Sequence, residues 1–400
     1  MPAENPLVDI VAAEALLLRL LAVEGVTGQE AAIAQAVSEE LQQAGLPASA
    51  IRFDDAHTRI SLPTETGNLY AELPGTRPGP HLLFSTHLDT VALCAGAKVK
   101  REGDRLVTDG TTALGGDNRT GCAVLVTLVK TLLAHRLPHP PITLLFTVRE
   151  ESGLHGAREL KPEDLGGAAM GFNVDGRLAG EITIGAAGQE AWEVELRGQA
   201  AHSGLAPEQG ISSTLVAALA LGEGFRGGWW GKIEKPGGKG TSNVGFFGGR
   251  EGRAAGDATN VVTDFAYLKG ESRSHDEKFV KVITDGWEQA FAAAAAAAPN
   301  AKGEQAAVQF SRHVAFPPFR AAEDAPIVQR AVRAVESLGL KPTFRISNGG
   351  QDANWITRHG VPTITIGAGQ DEIHTVRESV NLAEFAAGCR LAAALATMAE

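Results

Sequence analysis

Cysteine is scarce in this 400-residue chain: Cys94, Cys122 and Cys389 stand far apart and are odd in number. That argues against a disulfide framework and against a cysteine-built zinc site, and it points to a reducing compartment, the cytoplasm. Long apolar runs are missing as well. No stretch of eighteen apolar residues occurs, so no membrane span is expected. The start, MPAENPLVDIVAAEALLLRL, lacks a basic leader region and carries Asp9, Glu14 and Arg19 among its apolar residues, so it reads as an amphipathic helix rather than a secretion signal. Positive charge is also short: 36 Lys plus Arg face 47 Asp plus Glu, a net charge of -11 with no basic run of the kind that tracks phosphates. Neither nucleic acid nor a membrane is an expected partner.

What the chain does have is enough apolar material, 44% of its residues, to bury a full-sized core, and a length that suggests two or three domains. Helical spacing runs over residues 8 to 24, and Thr27 with Glu30 forms a T-x-x-E capping-box signature opening a second helix to about Leu46. Strand-like GNLYAEL and HLLFSTHLD follow, then a helix from about Arg119 to His135, ITLLFTV, a short helix near 153 to 160, and AMGFNVD. This alternation predicts an α/β domain, a mostly parallel sheet layered between helices. From about Gly188 the order becomes β-α-β-β-α-β, a ferredoxin-like α+β arrangement, with helices at about 209 to 225 and 275 to 298. RGGWWGKIEKPGGKG inside it reads as a mobile loop. A helix at about 326 to 338, VPTITIG and a last helix at about 381 to 399 restore the first pattern. Residues 188–318 are therefore expected to be an insertion into a discontinuous domain of residues 1–187 and 319–400.

Ligands of an open α/β sheet bind beyond the carboxyl ends of its strands. Polar residues recur at that place: His87 and Asp89 at the end of FSTHLD, Asp117 in LGGDNRTG, Glu150 and Glu151 after LLFTVR, Asp175 at the end of GFNVD, and His374 in DEIHTVRES. Singly, Asp117 reads as a helix cap, the two glutamates as acids in a first helical turn, and His87 as a satisfied core histidine. Together, acids crowded on one sheet edge need a cation, because buried charges must be paired or bind metal. Two dications balanced by three carboxylates and one hydroxide leave two acids for other work. Histidine and carboxylate without thiolate suit zinc, with cobalt or manganese as rivals, and a two-metal cluster is a hydrolytic device.

The ordered set H-L-D-T, L-G-G-D-N, E-E-S-G, N-V-D-G, A-H-S-G, G-G-Q-D-A-N and I-H-T resembles the dinuclear zinc metallopeptidases that include peptidase T, carboxypeptidase G, aminoacylase and succinyl-diaminopimelate desuccinylase. LGGDNRTG and GESRSHD look most like the peptidase T branch. The resemblance covers nearly the whole chain. It implies that His87 and Asp175 hold one metal, Glu151 and His374 the other, and that Asp117 bridges them. It makes Asp89 the carboxylate that orients His87, Glu150 the general base, and Asp117–Asn118 a candidate cis peptide.

It also implies that the insertion is a lid and dimerisation domain, and the chain a homodimer. His202 would reach the substrate of the partner subunit, Asn260 would touch the substrate backbone, and Arg273 would grip a substrate carboxylate. Gly349 and Gly350 would let backbone approach the substrate. At Asn348 the chain departs from peptidase T, which has an arginine there. The expected activity is a cytoplasmic aminopeptidase acting on tri- or dipeptides. An N-acyl amino acid deacylase or carboxypeptidase of the same fold is the alternative, and a non-catalytic binding module is an alternative of another class.

Overall fold

The structure is a computed structural model that describes residues 7–256 and 258–399. It divides into two compact units, one made of the chain up to Ala186 and from Phe319 onward, the other of Ala187–Pro318.

The first unit begins with helices α1 (Ile10–Leu21) and α2 (Ala31–Gln43), then strands β1 (Ile51–Phe53), β2 (Leu69–Leu73), β3 (Leu82–His87), β4 (Lys100–Glu102) and β5 (Arg105–Val107). Helix α3 (Gly116–Ala134), β6 (Ile142–Thr147), α4 (His155–Arg158), β7 (Met170–Gly176) and β8 (Glu181–Ala186) follow. The second unit contains β9 (Gly188–Arg197), α5 (Ser213–Arg226), β10 (Gly231–Lys235), β11 (Gly238–Gly248), β12 (Phe265–Ser274), α6 (Glu277–Ala297) and β13 (Ala307–Phe316). The chain returns to the first unit with β14 (Phe319–Arg320), α7 (Pro326–Ser337), β15 (Thr343–Ser347), α8 (Asp352–Arg358), β16 (Thr363–Gly367), β17 (Gln370–Asp371), β18 (Ser379–Asn381) and α9 (Leu382–Thr397).

The large sheet of the first unit runs β1-β2-β6-β3-β7-β16-β8-β14, with β15 also paired to β8. Its centre, β6-β3-β7-β16, is parallel, as the alternation of elements predicts; towards the edges β1 pairs with β2, β2 with β6, β8 with β16 and β14 with β8 antiparallel, while β15 joins β8 in parallel. β3 and β6 are buried on both faces, which is why they read as unbroken apolar runs. Leu82, Phe84 and Leu144 pack with Leu17 of α1, Val37 of α2, Leu125 of α3, Val335 of α7 and Leu391 of α9. The alternate residues Leu83 and Leu145 face the other way, onto Ala157 of α4 and Ile356 of α8. Helices therefore cover both faces, and all four central strands point the same way.

In the second unit β9 alternates buried and half-buried residues, the pattern of a sheet with one covered face. The order β10-β11-β12-β9-β13 is the antiparallel ferredoxin-like sheet with β10 added at the edge. Trp192 of β9 lies 5.3 Å from Trp287 of α6 and 5.7 Å from Phe310 of β13. A Cβ on Gly270 would come within 2.1 Å of Trp192, so only glycine lets the ring lie flat there.

Two expectations need correction. RGGWWGKIEKPGGKG is not a loop: it ends α5 and forms the β10–β11 hairpin, closed by Pro236 and Gly237, the latter at φ 102° as a type II turn requires. Trp230 packs edge-on against Trp287 at 5.5 Å, and Trp229 lies so close to Gly286 that a Cβ there would be 2.4 Å away. Aromatic burial overrides the glycine content. Nor does the Thr27–Glu30 capping box form. Thr27 Oγ1 bonds Ser152 Oγ at 3.0 Å, and the fully buried Glu30 accepts Gly28 N at 2.7 Å and Arg149 N at 3.1 Å. A long-range loop has taken the residues that a local cap would use.

Glu30 Oε2 has no hydrogen-bond partner among the described residues, and burial, with the Asp89 charge nearby, pushes its carboxyl from 4.5 up to about 7. The folded state thus holds this proton more tightly than the unfolded chain does. The resulting stability is present in full below about pH 4.5 and is lost as pH rises through about 7. Glu30→Gln removes that titration. Between pH 5 and pH 8 the stability of Glu30→Gln relative to wild type should rise by up to about 3 kcal/mol, read from urea unfolding at both pH values. A pH-independent difference would contradict the assignment.

Candidate metal centre

The parallel strands put their carboxyl ends on one edge. His87 is the last residue of β3, Asp175 lies near the end of β7, and after β6 the chain turns at Arg149, in left-handed backbone at φ 53°, to present Glu150 and Glu151. Asp117 lies at the start of α3, where it and Asn118 depart from helical angles and the peptide between them is cis. Gly121, one turn on, would clash with Thr86 Oγ1 at 2.1 Å and Val174 O at 2.5 Å if it carried a Cβ. Its lack of a side chain seats α3 against the strand ends. His374, also at positive φ, comes from the loop between β17 and β18.

Asp117 is the meeting point. Its Oδ1 lies 3.0 Å from His87 Nε2 and its Oδ2 3.2 Å from His374 Nε2. His87 Nε2 is also 3.7 Å from Asp175 Oδ1, and His374 Nε2 is 2.8 Å from Glu151 Oε2. Ligand atoms of His87, Asp117 and Glu151 all lie within 4.8 Å of one another. These side chains and Glu150 line one cavity of about 520 Å³, with Gly349, Gly350, Arg177 and Arg345 on its walls. Asn348 is an exposed neighbour of Gly349 and is not among the lining residues. A Cβ on Gly349 would meet only Ser347 Oγ, at 3.7 Å, so the chain's own packing does not require glycine there.

The charges do not balance. Burial works against a charged His87, yet Asp117, Asp175 and Asp89 raise its pKa well above normal, and Asp117 and Glu151 raise His374 to about 10. Among the described residues, no Lys or Arg pairs with Asp117, Glu151 or Asp175, so these two histidines are what faces the acids. Burial pushes Glu150 well up, Glu151 to about 7 and Asp175 above its ordinary value, with neighbouring acids adding to each. Divalent cations would remove this excess of negative charge, and the donors present, imidazole nitrogen and carboxylate oxygen, suit them. Thiolate is not on offer: burial pushes Cys122 up to about 11, and its Sγ faces His87 O at 3.4 Å.

Asp89 has more to do than the sequence suggests. His87 Nδ1 lies 3.0 Å from the Asp89 backbone carbonyl and 3.4 Å from its carboxylate. The two carboxylate oxygens accept Glu150 N at 3.0 Å and Glu151 N at 3.1 Å. Sequence reasoning also missed supporting residues. Asn118 and Gln370 donate to Asp175 Oδ1 at 3.0 and 3.2 Å. Buried Asp352, which accepts from Thr147, is pushed up to about 7 by burial; it stands within the G-G-Q-D-A-N motif but had no role there. Glu378 carried no signal beyond its place after I-H-T.

In the second unit, His202 and Asn260 share one loop cluster: Ser203 N donates to Asn260 O at 3.0 Å, and His202 bridges to Val261. His202 Nδ1 accepts Gly204 N at 3.1 Å. Arg273 is held by Glu271 through Nε at 3.0 Å and Nη2 at 2.9 Å.

The sequence profile of peptidase family M20/M25/M40 matches residues 83–398. The chain belongs to this family. It is 31% identical over 370 residues to the uncharacterized protein YqjE of Bacillus subtilis, covering 92% of this chain and 93% of that one. Among solved structures, aminopeptidase PepT from Bacillus cereus is 31% identical with a TM-score of 0.84, and a tripeptidase from Staphylococcus aureus is 26% identical with a TM-score of 0.85, each over 98% of both chains. As a member of this family the protein is a metallopeptidase.

Asp89→Asn leaves one acceptor for two amides. Metal affinity should fall by about ten- to a hundredfold, the usual cost of removing an orienting partner, as measured by competition with a chromophoric chelator. Unaltered affinity would mean that the carboxylate does not orient the ligands.

Proposed function

We propose that this protein is a metal-dependent aminopeptidase that removes the N-terminal residue of tri- or dipeptides. The observation that carries this reading is Asp117 offering one oxygen to each of two histidines, each of which has a second acid beside it. That arrangement supports two ions: His87 and Asp175 would hold one, Glu151 and His374 the other, and Asp117 would bridge them. Zinc fits the nitrogen and oxygen donors best, with cobalt or manganese as rivals. When bound, such ions polarise the scissile carbonyl and acidify a water between them.

Glu150 would take the proton of the attacking water and later pass it to the leaving amine. Its raised pKa suits a group that must hold a proton between the two transfers; a cation beside it would pull that value back towards the range of a working base. Asp89 would keep Glu150 and Glu151 aimed through their backbone amides. Gly349 and Gly350 would admit the substrate backbone. Asn348 would add at most a polar contact where peptidase T has an arginine.

The second unit would act as lid and dimerisation domain, with His202 and Asn260 contacting substrate held by the partner subunit. For Arg273 to grip a substrate carboxylate, that carboxylate would have to displace Glu271. The proposed compartment is the cytoplasm, in keeping with three buried thiols that form no disulfide.

The test is elemental analysis of metal per chain together with a panel of di- and tripeptides and N-acetyl amino acids, before and after chelation. Close to two ions, with chelator-sensitive release of N-terminal residues, is expected. Release of acetate instead would favour the deacylase alternative, and neither metal nor hydrolysis would leave a binding module. Glu150→Gln should keep its metal while kcat falls by at least about 10²- to 10⁴-fold; near-normal turnover would strip Glu150 of its role. His202→Ala should lose activity with metal retained, and mixed dimers of it with Glu150→Gln should recover part of that activity. A verified mixed dimer that stays inactive would refute a role across subunits.

A further inference from the structure

We propose that Glu378 is a positioning residue that locks the Asp117 turn to the His374 loop and thereby sets how tightly the ion shared by Asp117, Glu151 and His374 is held. The inference rests on the two-ion reading above.

Glu378 is 2% exposed. Its Oε2 accepts Leu114 N at 2.8 Å and Gly115 N at 2.9 Å, and its Oε1 accepts Asp117 N at 2.9 Å. Among the described residues no Lys or Arg pairs with it. A buried carboxylate without a cation is costly unless hydrogen bonds satisfy it, and here three backbone amides do so. From the helix side the turn is held by Arg119 N to Gly115 O at 3.2 Å and Thr120 Oγ1 to Gly116 O at 3.0 Å, and Glu378 links it to the His374 loop. Gly115 is left-handed at φ 80°, and Gly116 fits so closely that a Cβ would lie 2.6 Å from Val380 and 3.3 Å from Glu378 Oε1.

At its other end Glu378 anchors an exposed segment. The His374 side chain is 46% exposed, so packing does not hold it in place. Its loop closes through Glu378 N to Thr375 O at 3.0 Å and Thr375 Oγ1 to Glu372 O at 2.8 Å. Three residues separate the anchor from the ligand. One buried carboxylate thus registers two loops that each carry a ligand of the same ion.

Glutamine at 378 matches the shape but turns one acceptor into an NH2 group that must face either Asp117 N or the Leu114 and Gly115 pair. Full-length wild type and Glu378→Gln would be stripped of metal and titrated with Zn²⁺ against a chromophoric chelator. Wild type should take two ions. In Glu378→Gln one of the two sites should lose about ten- to a hundredfold in affinity while the other stays within about threefold. Val335→Ala, which cuts buried core in α7 of the same unit, serves as the control for general destabilisation and should show no such split. Glu378→Asp keeps both acceptors on a shorter arm and should fall between wild type and Glu378→Gln.

Two unchanged affinities in Glu378→Gln would overturn the proposal and leave the two-ion reading standing. The same loss in Val335→Ala would reduce Glu378 to a residue of the fold and overturn it too. A wild type that binds no Zn²⁺ would overturn the two-ion reading, and this inference with it. Where Glu378→Gln does not fold, Glu378→Asp decides: wild-type affinities for both ions would overturn the proposal, and a selective loss at one site would support it.

Discussion

The carboxylate of Asp117 is shared between His87 and His374, one oxygen to each, and this sharing forces the rest of the site. For both histidines to reach one acid, β3 and the β17–β18 loop must end at the start of α3. Asp175 and Glu151 are then both buried beside Asp117, whose charge adds to the cost of ionising each of them. Such crowding is unfavourable in a protein interior unless positive charge arrives to offset it. The cluster thus stores an electrostatic demand that divalent cations would meet.

Holding this geometry is a problem of backbone as much as of charge. Ligand-bearing loops at strand ends leave amides without ladder partners, and buried amides must be satisfied. The chain uses buried carboxylates for the purpose. Asp89 takes the amides of Glu150 and Glu151, Glu378 those around Asp117, and Glu30 that of Arg149, directly before the Glu150–Glu151 pair. An acid accepts two or three amides at once, which a hydroxyl seldom does. This explains why an aspartate follows His87 by two residues at the end of a fully buried strand. It faces the histidine, and it also supports the turn on the neighbouring strand.

Much of this was legible in the sequence because it follows short-range rules. The apolar runs of β3, β6, β7 and β16 show as continuous blocks, the helices as 3.6-residue periods, and the ligand candidates as polar residues where those blocks stop. What escaped depends on partners distant in the chain. T-x-x-E at Thr27 reads as a cap only until Ser152 and Arg149 claim its side chains. The glycines around Trp229 and Trp230 signal a loop until the indoles find Gly286 and Trp287. Glu378 looks like any surface acid in VRES until the turn at Leu114 folds over it. Arg273 reads as an available cation, but Glu271, two residues back on β12 and so on the same face, occupies it.

The five proposed metal ligands, the proposed base and the carboxylates that hold them all belong to the first unit, whereas His202, Asn260 and Arg273 belong to the second. The hydrogen bonds that Asp89, Asn118 and Gln370 make to the proposed ligands and base lie within the first unit. The walls of the cavity carry both signs, with Arg177 paired to Asp371 and Arg345 to Glu181, so they present no single charge to a substrate. A substrate entering this cavity therefore meets paired cations on its walls and crowded acids at its base, so its own charges must compete with those pairs.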